Sequence, residues 1–236
     1  MPSFAILCVG RVGSEHLVSL LDSHPDITCF SELFAPGWSL QWRRGTLAVP
    51  HFVDTPHQRP ADYWRQLMEG VDSPVTGLKL PGSSIEAHPE AAELIADPKV
   101  DIIRLTRDNR LAQYVSLWLA LESGVWHSTQ GAYGTGKIRV NVSDCMSGLD
   151  QIGEQESELD SLAGGHRVFR ISYEDLAEGL RIDELQSFLG VTPQPLNSRY
   201  ERLRERPITE VIENVDELAA ALAGTPYAAS LQEGAR

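Results

Sequence analysis

The stretch that most restricts this chain is Phe4-Ala5-Ile6-Leu7-Cys8-Val9, followed by Gly10-Arg11-Val12-Gly13-Ser14-Glu15-His16-Leu17. The apolar run is short for a helix and suits a strand buried on both faces. Beyond the two glycines, Leu17, Leu20 and Leu21 fall at helical spacing, and Pro25 forbids continuation. A buried strand that passes through a tight turn straight into a helix commits the chain to α/β architecture. The same turn aims unpaired backbone N–H groups and the positive end of a helix dipole at one point, which suits a phosphate or sulfate. Arg11 adds a planar charged fork and Ser14 a hydroxyl donor. A strand–turn–helix that holds no ligand has the same pattern, so the rest of the chain must discriminate.

Further short extended runs follow at Ile27–Phe30, Val75–Leu80, Val100–Thr106 and Val168–Ser172. Between and after them, helices are expected at 61–70, 89–96, 110–122, 143–163 and 183–189, and again from Ile208. Asp183 and Gln186 are spaced like a capping box. Strands alternating with helices predict a mostly parallel sheet covered by helices on both faces, in a single domain over 1–236. Two segments lack a period: 36–60, with Trp38, Trp42, Arg43, Arg44, His51, Phe52 and His57, and the glycine-rich 124–137. Long loops in a compact domain are often functional, so both are expected to shape an acceptor pocket. The rings and charges from Trp38 to Trp64 suit a polar acceptor such as a sugar.

The chain carries 33 acidic and 20 basic residues, a formal net charge of −13. That balance disfavours nucleic acid and anionic membrane surfaces as partners, while a small anionic ligand needs only a few local cations. No apolar segment approaches the roughly 20 residues of a membrane span. No basic region precedes a long apolar stretch, so no secretory signal is expected. The three cysteines, Cys8, Cys29 and Cys145, make neither a zinc spacing nor a disulfide framework, and a cytoplasmic location is the simplest expectation. No residue cluster calls for a metal.

In a parallel sheet the strand ends share one edge, and ligands lie beyond the carboxyl ends. There the chain places Arg11 and Ser14, then Glu32, Lys79, Arg107 and Tyr173. Two arginines, a lysine and a helix N-terminus facing one crevice suit a ligand with more than one negative group. Arg107 has a competing reading as a surface ion pair, Lys79 as a snorkelling strand-end lysine, Glu32 as a partner for nearby arginines, and Ser116 as a hydroxyl bonded to its own helix.

Taken in order, Arg11-Val12-Gly13-Ser14, Ser23-His24-Pro25 to Glu32-Leu33-Phe34, Gly77-Leu78-Lys79-Leu80, Arg104-Leu105-Thr106-Arg107-Asp108-Asn109 through Gln113 to Ser116, Ser172-Tyr173-Glu174-Asp175-Leu176 and Phe188-Leu189-Gly190-Val191 resemble the sulfotransferases that use 3′-phosphoadenosine 5′-phosphosulfate (PAPS). The bacterial nodulation and glycolipid type is the most similar. The resemblance implies a P-loop-NTPase-like fold and PAPS as co-substrate, without a metal. It implies that Arg11 and the N–H groups of Gly13, Ser14 and Glu15 hold the 5′-phosphosulfate. Arg107 and Ser116 would hold the 3′-phosphate, helped by a basic segment to which Arg202, Arg204 and Arg206 loosely correspond. Tyr173 would contact the adenine, Glu32 would be the general base, and Arg11 and Lys79 would neutralise the transferred group.

Two departures from that family stand out. Glu15 replaces the usual threonine, and a carboxylate beside a bound sulfate repels it unless it points away. His16 replaces an apolar or aromatic residue and reads either as a second base or as a helix-packing histidine. A kinase-like P-loop enzyme is the alternative by strand–loop–helix logic, but the Gly10–Gly13 turn is short and no lysine precedes Ser14. A non-catalytic anion-binding module is a third reading, because of Glu15.

Overall fold

The structure is a computed structural model of the 236-residue chain. It describes residues 2–35, 42–44, 47–49, 52, 58–127, 137–200 and 207–231, with backbone alone at 42–44 and 47–49. β1 (Phe4–Cys8) leads into α1 (Ser14–Asp22) and β2 (Ile27–Phe30). A short antiparallel hairpin, β3 (Trp42–Arg44) and β4 (Leu47–Val49), follows. Next come α2 (Pro60–Met68), β5 (Val75–Pro81), α3 (Gly82–Ala87), a 3₁₀ turn at Pro89–Ile95 and β6 (Asp101–Thr106). The second half holds α4 (Arg110–Ser123), α5 (Val142–Leu162), β7 (Val168–Ser172), α6 (Tyr173–Ala177), α7 (Ile182–Phe188), α8 (Ile208–Val211), α9 (Val215–Leu222) and a 3₁₀ turn at Ala228–Leu231.

Five strands form one parallel sheet in the order β2-β5-β1-β6-β7. All five residues of β1 are fully buried at its centre, which is why the sequence there is a continuous apolar run. Alternate side chains go to opposite faces. Ala5 and Leu7 join Leu78, Ile102, Trp64 of α2 and Leu159 of α5. Phe4, Ile6 and Cys8 join Leu17 and Leu21 of α1, Leu105 and Leu185 of α7. A third core lies between α4 and α5 and is closed by Leu218 and Leu222 of α9. No described helix is long and apolar enough to cross a membrane.

Several local expectations change. The segment expected to be irregular contains the β3–β4 hairpin, and α3 begins at Gly82, where Pro81-Gly82 reads as a turn. Phe52, Tyr63 and Trp64 do not form an acceptor platform. They are buried, and Phe34, Phe52 and Tyr63 contact one another edge to face or tilted, while Trp64 packs on Phe30. Asp183 and Gln186 make no capping box: α7 starts from Arg181 without a side-chain cap. Gln186 is instead buried and exchanges hydrogen bonds with the backbone of Gln194 (3.0 and 3.1 Å), pinning the chain after α7. His24 is likewise structural, accepting from the Asp26 N–H (3.0 Å) and bonding the Thr192 carbonyl (3.1 Å).

Arg104 is a charged residue in the middle of β6 and is fully buried. It donates to the Leu7 carbonyl (2.8 Å), to Asp160 (2.9 Å) and to the carboxylate of Glu156, the last two from α5. Asp160 also receives Arg170 of β7 (2.8 Å). A guanidinium, rather than more apolar packing, therefore fastens α5 to this part of the sheet.

Candidate functional site

The chain leaves β1 toward β2 and β5 on one side, and leaves β6 toward β7 on the other. The crevice beyond the carboxyl ends of β1 and β6 is thus the switch point of the sheet, where open α/β sheets bind ligands. The turn after β1 is unusual. Arg11 has φ 66° and Gly13 has φ 75°, both in the left-handed region. A non-glycine residue held there costs of order 1–3 kcal/mol and must be supported by its surroundings.

The support comes from the neighbouring turn and helix. Gln113 of α4 donates to the Gly10 carbonyl (2.7 Å), and Arg107 donates through Nη1 to the Arg11 carbonyl (3.2 Å). The β6–α4 turn is fixed in its own right. Asn109 caps α4 by accepting from the Ala112 N–H (2.8 Å), and Glu174 of α6 accepts from the N–H groups of Asp108 and Asn109 (3.0 and 3.5 Å). Gly13 is the N-cap of α1 and carries no capping side chain, so the first N–H groups of this helix face the crevice uncapped by a side chain.

The sequence-identified residues group as follows. Arg11 Nε donates to Ser116 Oγ (3.2 Å), its Nη1 donates to the Trp126 carbonyl (3.0 Å), and its guanidinium lies 5.8 Å from the centre of the Trp126 ring. Arg107 lies 4.2 Å above the Tyr173 ring. A Cβ at Gly13 would sit 2.9 Å from Tyr173 Cδ2. Arg11, Gly13, Ser116, Arg107 and Tyr173 thus form one continuous cluster at the switch point. Ser14 begins α1 and is buried. Arg202, Arg204 and Arg206 lie outside the described residues, as do residues 128–136 of the glycine-rich loop.

Gly13→Ala tests the turn directly. The left-handed backbone and the Tyr173 contact together predict a loss of about 1–2 kcal/mol in urea unfolding. At Gly10 an added Cβ meets nothing within 4 Å and φ is not positive, so Gly10→Ala is the control and is expected to cost less.

Lys79, Glu15 and Glu32 form a second cluster beside the first. Lys79 is not a snorkelling strand-end residue: its side chain is 4% exposed inside β5. Its Nζ lies 2.7 Å from Glu15 Oε1 and 2.5 Å from Glu32 Oε1. Glu15 also accepts from Ser31 Oγ and from Tyr200 Oη (3.4 Å). Burial acts to raise the Glu15 carboxyl, but Lys79 and the Ser31 hydroxyl outweigh it and hold it down at about 2. Burial disfavours the Lys79 ammonium, yet the two carboxylates outweigh that and push its pKa up, so it stays charged. Glu15 therefore points sideways into Lys79. Exposure separates the two acids: Glu15 is 17% exposed and Glu32 36%, so Glu32 is the more open to solvent.

The histidines divide differently from the sequence reading. Half-buried His16 bonds the Tyr200 carbonyl through Nδ1 (3.3 Å), and burial lowers its pKa. His127 was not singled out by its sequence. It packs on Tyr200 with ring centres 5.6 Å apart, within electrostatic range of Glu15, Lys79, Arg11 and Glu32. Burial lowers its pKa also. Only its place next to Trp126 in the loop after α4 marks it, and nothing in the local sequence shows that this loop folds over Arg11.

No family model and no curated protein matches the chain. Among solved structures, the crystal structure of a sulfotransferase from Alicyclobacillus acidocaldarius is similar, with a TM-score of 0.54 at 17% sequence identity, over 98% of this chain and 94% of that one. At such low identity the likeness is one of fold alone. A single parallel α/β sheet with a P-loop-like turn after its central strand is the fold this chain shares with that sulfotransferase.

Proposed function

We propose that this chain is a sulfotransferase that moves the sulfuryl group of PAPS to the hydroxyl of a small-molecule or glycan acceptor. The observation that carries the reading is the hydrogen bond from Arg107 to the Arg11 carbonyl. It brings the cationic turns of β1 and β6 into one crevice, in a chain with the fold of a sulfotransferase. A ligand anionic at two ends needs such a paired cradle. The left-handed Arg11–Gly13 turn and the α1 N-terminus suit its terminal group, and the Arg107–Tyr173 stack suits a phosphorylated nucleoside.

When bound, PAPS supplies an activated sulfuryl group on a phosphate leaving group. Arg11, with the N–H groups of Gly13, Ser14 and Glu15, would hold the 5′ end and stabilise charge on its peripheral oxygens. Arg107 and Ser116, with Arg204 and Arg206, would hold the 3′-phosphate, and Tyr173 would border the adenine. Glu32 would take the acceptor proton as the hydroxyl oxygen attacks in line. Lys79 would lie beside that event, its ammonium held against Glu32. Positioning and charge stabilisation would supply most of the rate, as in phosphoryl transfer.

Calorimetry with adenosine 3′,5′-bisphosphate tests the reading first. The wild-type chain is expected to bind it, and no binding would overturn the proposal. Arg107→Ala is expected to weaken binding by roughly 10- to 100-fold, the scale of a hydrogen bond to a charged group. Unchanged affinity would remove Arg107 from the nucleotide site. An acceptor screen with labelled PAPS then identifies the hydroxyl. Turnover of ATP with magnesium in place of PAPS would favour the kinase-like alternative.

A further inference from the structure

The carboxylate of Glu15 has no place in the mechanism above, which uses only its backbone N–H. Its surroundings are nevertheless built around it. Lys79 Nζ stands between two carboxylates, 2.7 Å from Glu15 and 2.5 Å from Glu32. Glu15 is the fixed member: it is mostly buried in the first turn of α1 and receives Ser31 and Tyr200 besides Lys79. Glu32 is the looser member, more exposed, on the chain just after β2, with Lys79 as its ion-pair partner among the described residues.

We infer that Glu15 is a positioning residue that takes a share of the Lys79 ammonium and so keeps Glu32 available as the proton acceptor. This rests on the sulfotransferase reading for its purpose, though not for its geometry. A carboxylate that is the sole partner of a buried ammonium is held ionised and is a weak base. Sharing the ammonium between two carboxylates leaves one negative charge in excess, and that excess favours proton uptake at the member open to solvent. Once Glu32 is protonated, Lys79 and Glu15 remain as a balanced buried pair. Thus the charge that an anion turn should not tolerate is turned away from the anion and toward the base.

The groups facing this cluster come from every neighbouring element. Glu15 lies on α1, Lys79 on β5, Cys8 on β1 and Glu32 after β2. Arg11 stands on the turn after β1, His127 after α4, and Tyr200 reaches in from the segment after α7. The Cys8 thiol is pushed up to about 11, chiefly by burial, and stays neutral. His127 is held toward its neutral form by burial, so the balance around Lys79 is set by the two glutamates.

The decisive experiment is carbon-13 carboxyl NMR titration of Glu32 in the wild-type chain and in Glu15→Gln, which preserves shape and removes the charge. The Glu32 midpoint is expected to fall by about 1 pH unit or more in the variant. Glu15→Asp, which restores the charge, should return it most of the way and serves if the glutamine variant does not fold. In parallel, the acid limb of the kcat profile should move down with the midpoint, and plateau turnover should fall by a few-fold, up to about 10-fold, the Brønsted consequence of a weaker base. Affinity for adenosine 3′,5′-bisphosphate should stay level or tighten, because a negative charge has left the anion turn. Coincident Glu32 midpoints would overturn the inference, as would weakened nucleotide binding with an unmoved acid limb, the result of a merely structural Glu15. Failure of the wild-type chain to bind the nucleotide would instead overturn the sulfotransferase reading, and the NMR midpoints would still decide the role of Glu15.

Discussion

Replacing Glu32 with glutamine is expected to lower turnover by about 100-fold or more while leaving nucleotide affinity nearly unchanged. The separation follows from geometry. Glu32 pairs with Lys79 on the β5 side, whereas the cradle for the nucleotide is built from Arg11, Gly13, Arg107, Ser116 and Tyr173 around β1 and β6. Removing a proton acceptor takes away a transition-state contribution and leaves ground-state binding in place. Single-turnover transfer from labelled PAPS to an acceptor found in the screen gives the rate, and calorimetry gives the affinity. Turnover within a few-fold of wild type would remove Glu32 from the proton transfer and direct attention to His127, the titratable group packed on Tyr200 beside the same cluster.

The largest effect on stability is expected at Arg104, far from the crevice chemistry. Arg104→Ala should destabilise the fold by about 3–5 kcal/mol in urea unfolding at neutral pH. It strands Glu156, whose carboxyl burial already raises despite the guanidinium beside it, and it takes a donor from Asp160. Glu156 is raised in the folded state, so its folded form gains protons more readily than the unfolded chain. Without Arg104 that difference widens, and stability is lost as pH rises through the folded pKa. Asp160 is lowered in the folded state mainly because the Arg104 and Arg170 hydrogen bonds outweigh its burial, so its wild-type contribution is present at neutral pH and lost on acidification. Both effects have one sign: the mutational penalty shrinks on acidification, the Glu156 part above the ordinary carboxylate value and the Asp160 part below it. A penalty independent of pH would mean that lost packing dominates. Arg104→Met, which replaces the charge with apolar volume, is the companion variant, and it should cost less only together with Glu156→Gln, since Arg104→Met alone leaves the buried Glu156 carboxylate unmatched.

The contrast between Glu32 and Arg104 marks how far a sequence can be read. Glu32 ends a short apolar strand in an acidic chain, and a parallel sheet is enough to carry it to the ligand edge. Arg104 sits mid-strand, and its neighbours in sequence do not name its partners. Its meaning depends on Glu156 and Asp160, four residues apart on one face of α5 and more than fifty residues away in sequence. That spacing was the available signal, but nothing local says which strand the helix crosses. The β3–β4 hairpin was concealed for a different reason. Its strands have three residues each, too few for a period of two to emerge. Gln186 misled because the spacing of a capping box is also that of two neighbours on one helix face. The buried amide found the backbone of Gln194 instead.

By itself the sequence determined the central strand, the tight turn and the helix after it, because an unbroken apolar run and two glycines admit few alternatives at that length. It also determined that cationic residues follow two different strands. Only the tertiary structure decided that Arg107 reaches back to the Arg11 carbonyl, that Glu15 turns away from the anion turn, and that one buried ammonium is divided between two acids. Those outcomes depend on strand order and on side-chain directions across β1, β5 and β6. Periodicity sets which way a residue faces within its own element, but Coulomb energy and hydrogen bonding are fixed by distance, and distance between elements exists only once the chain has packed.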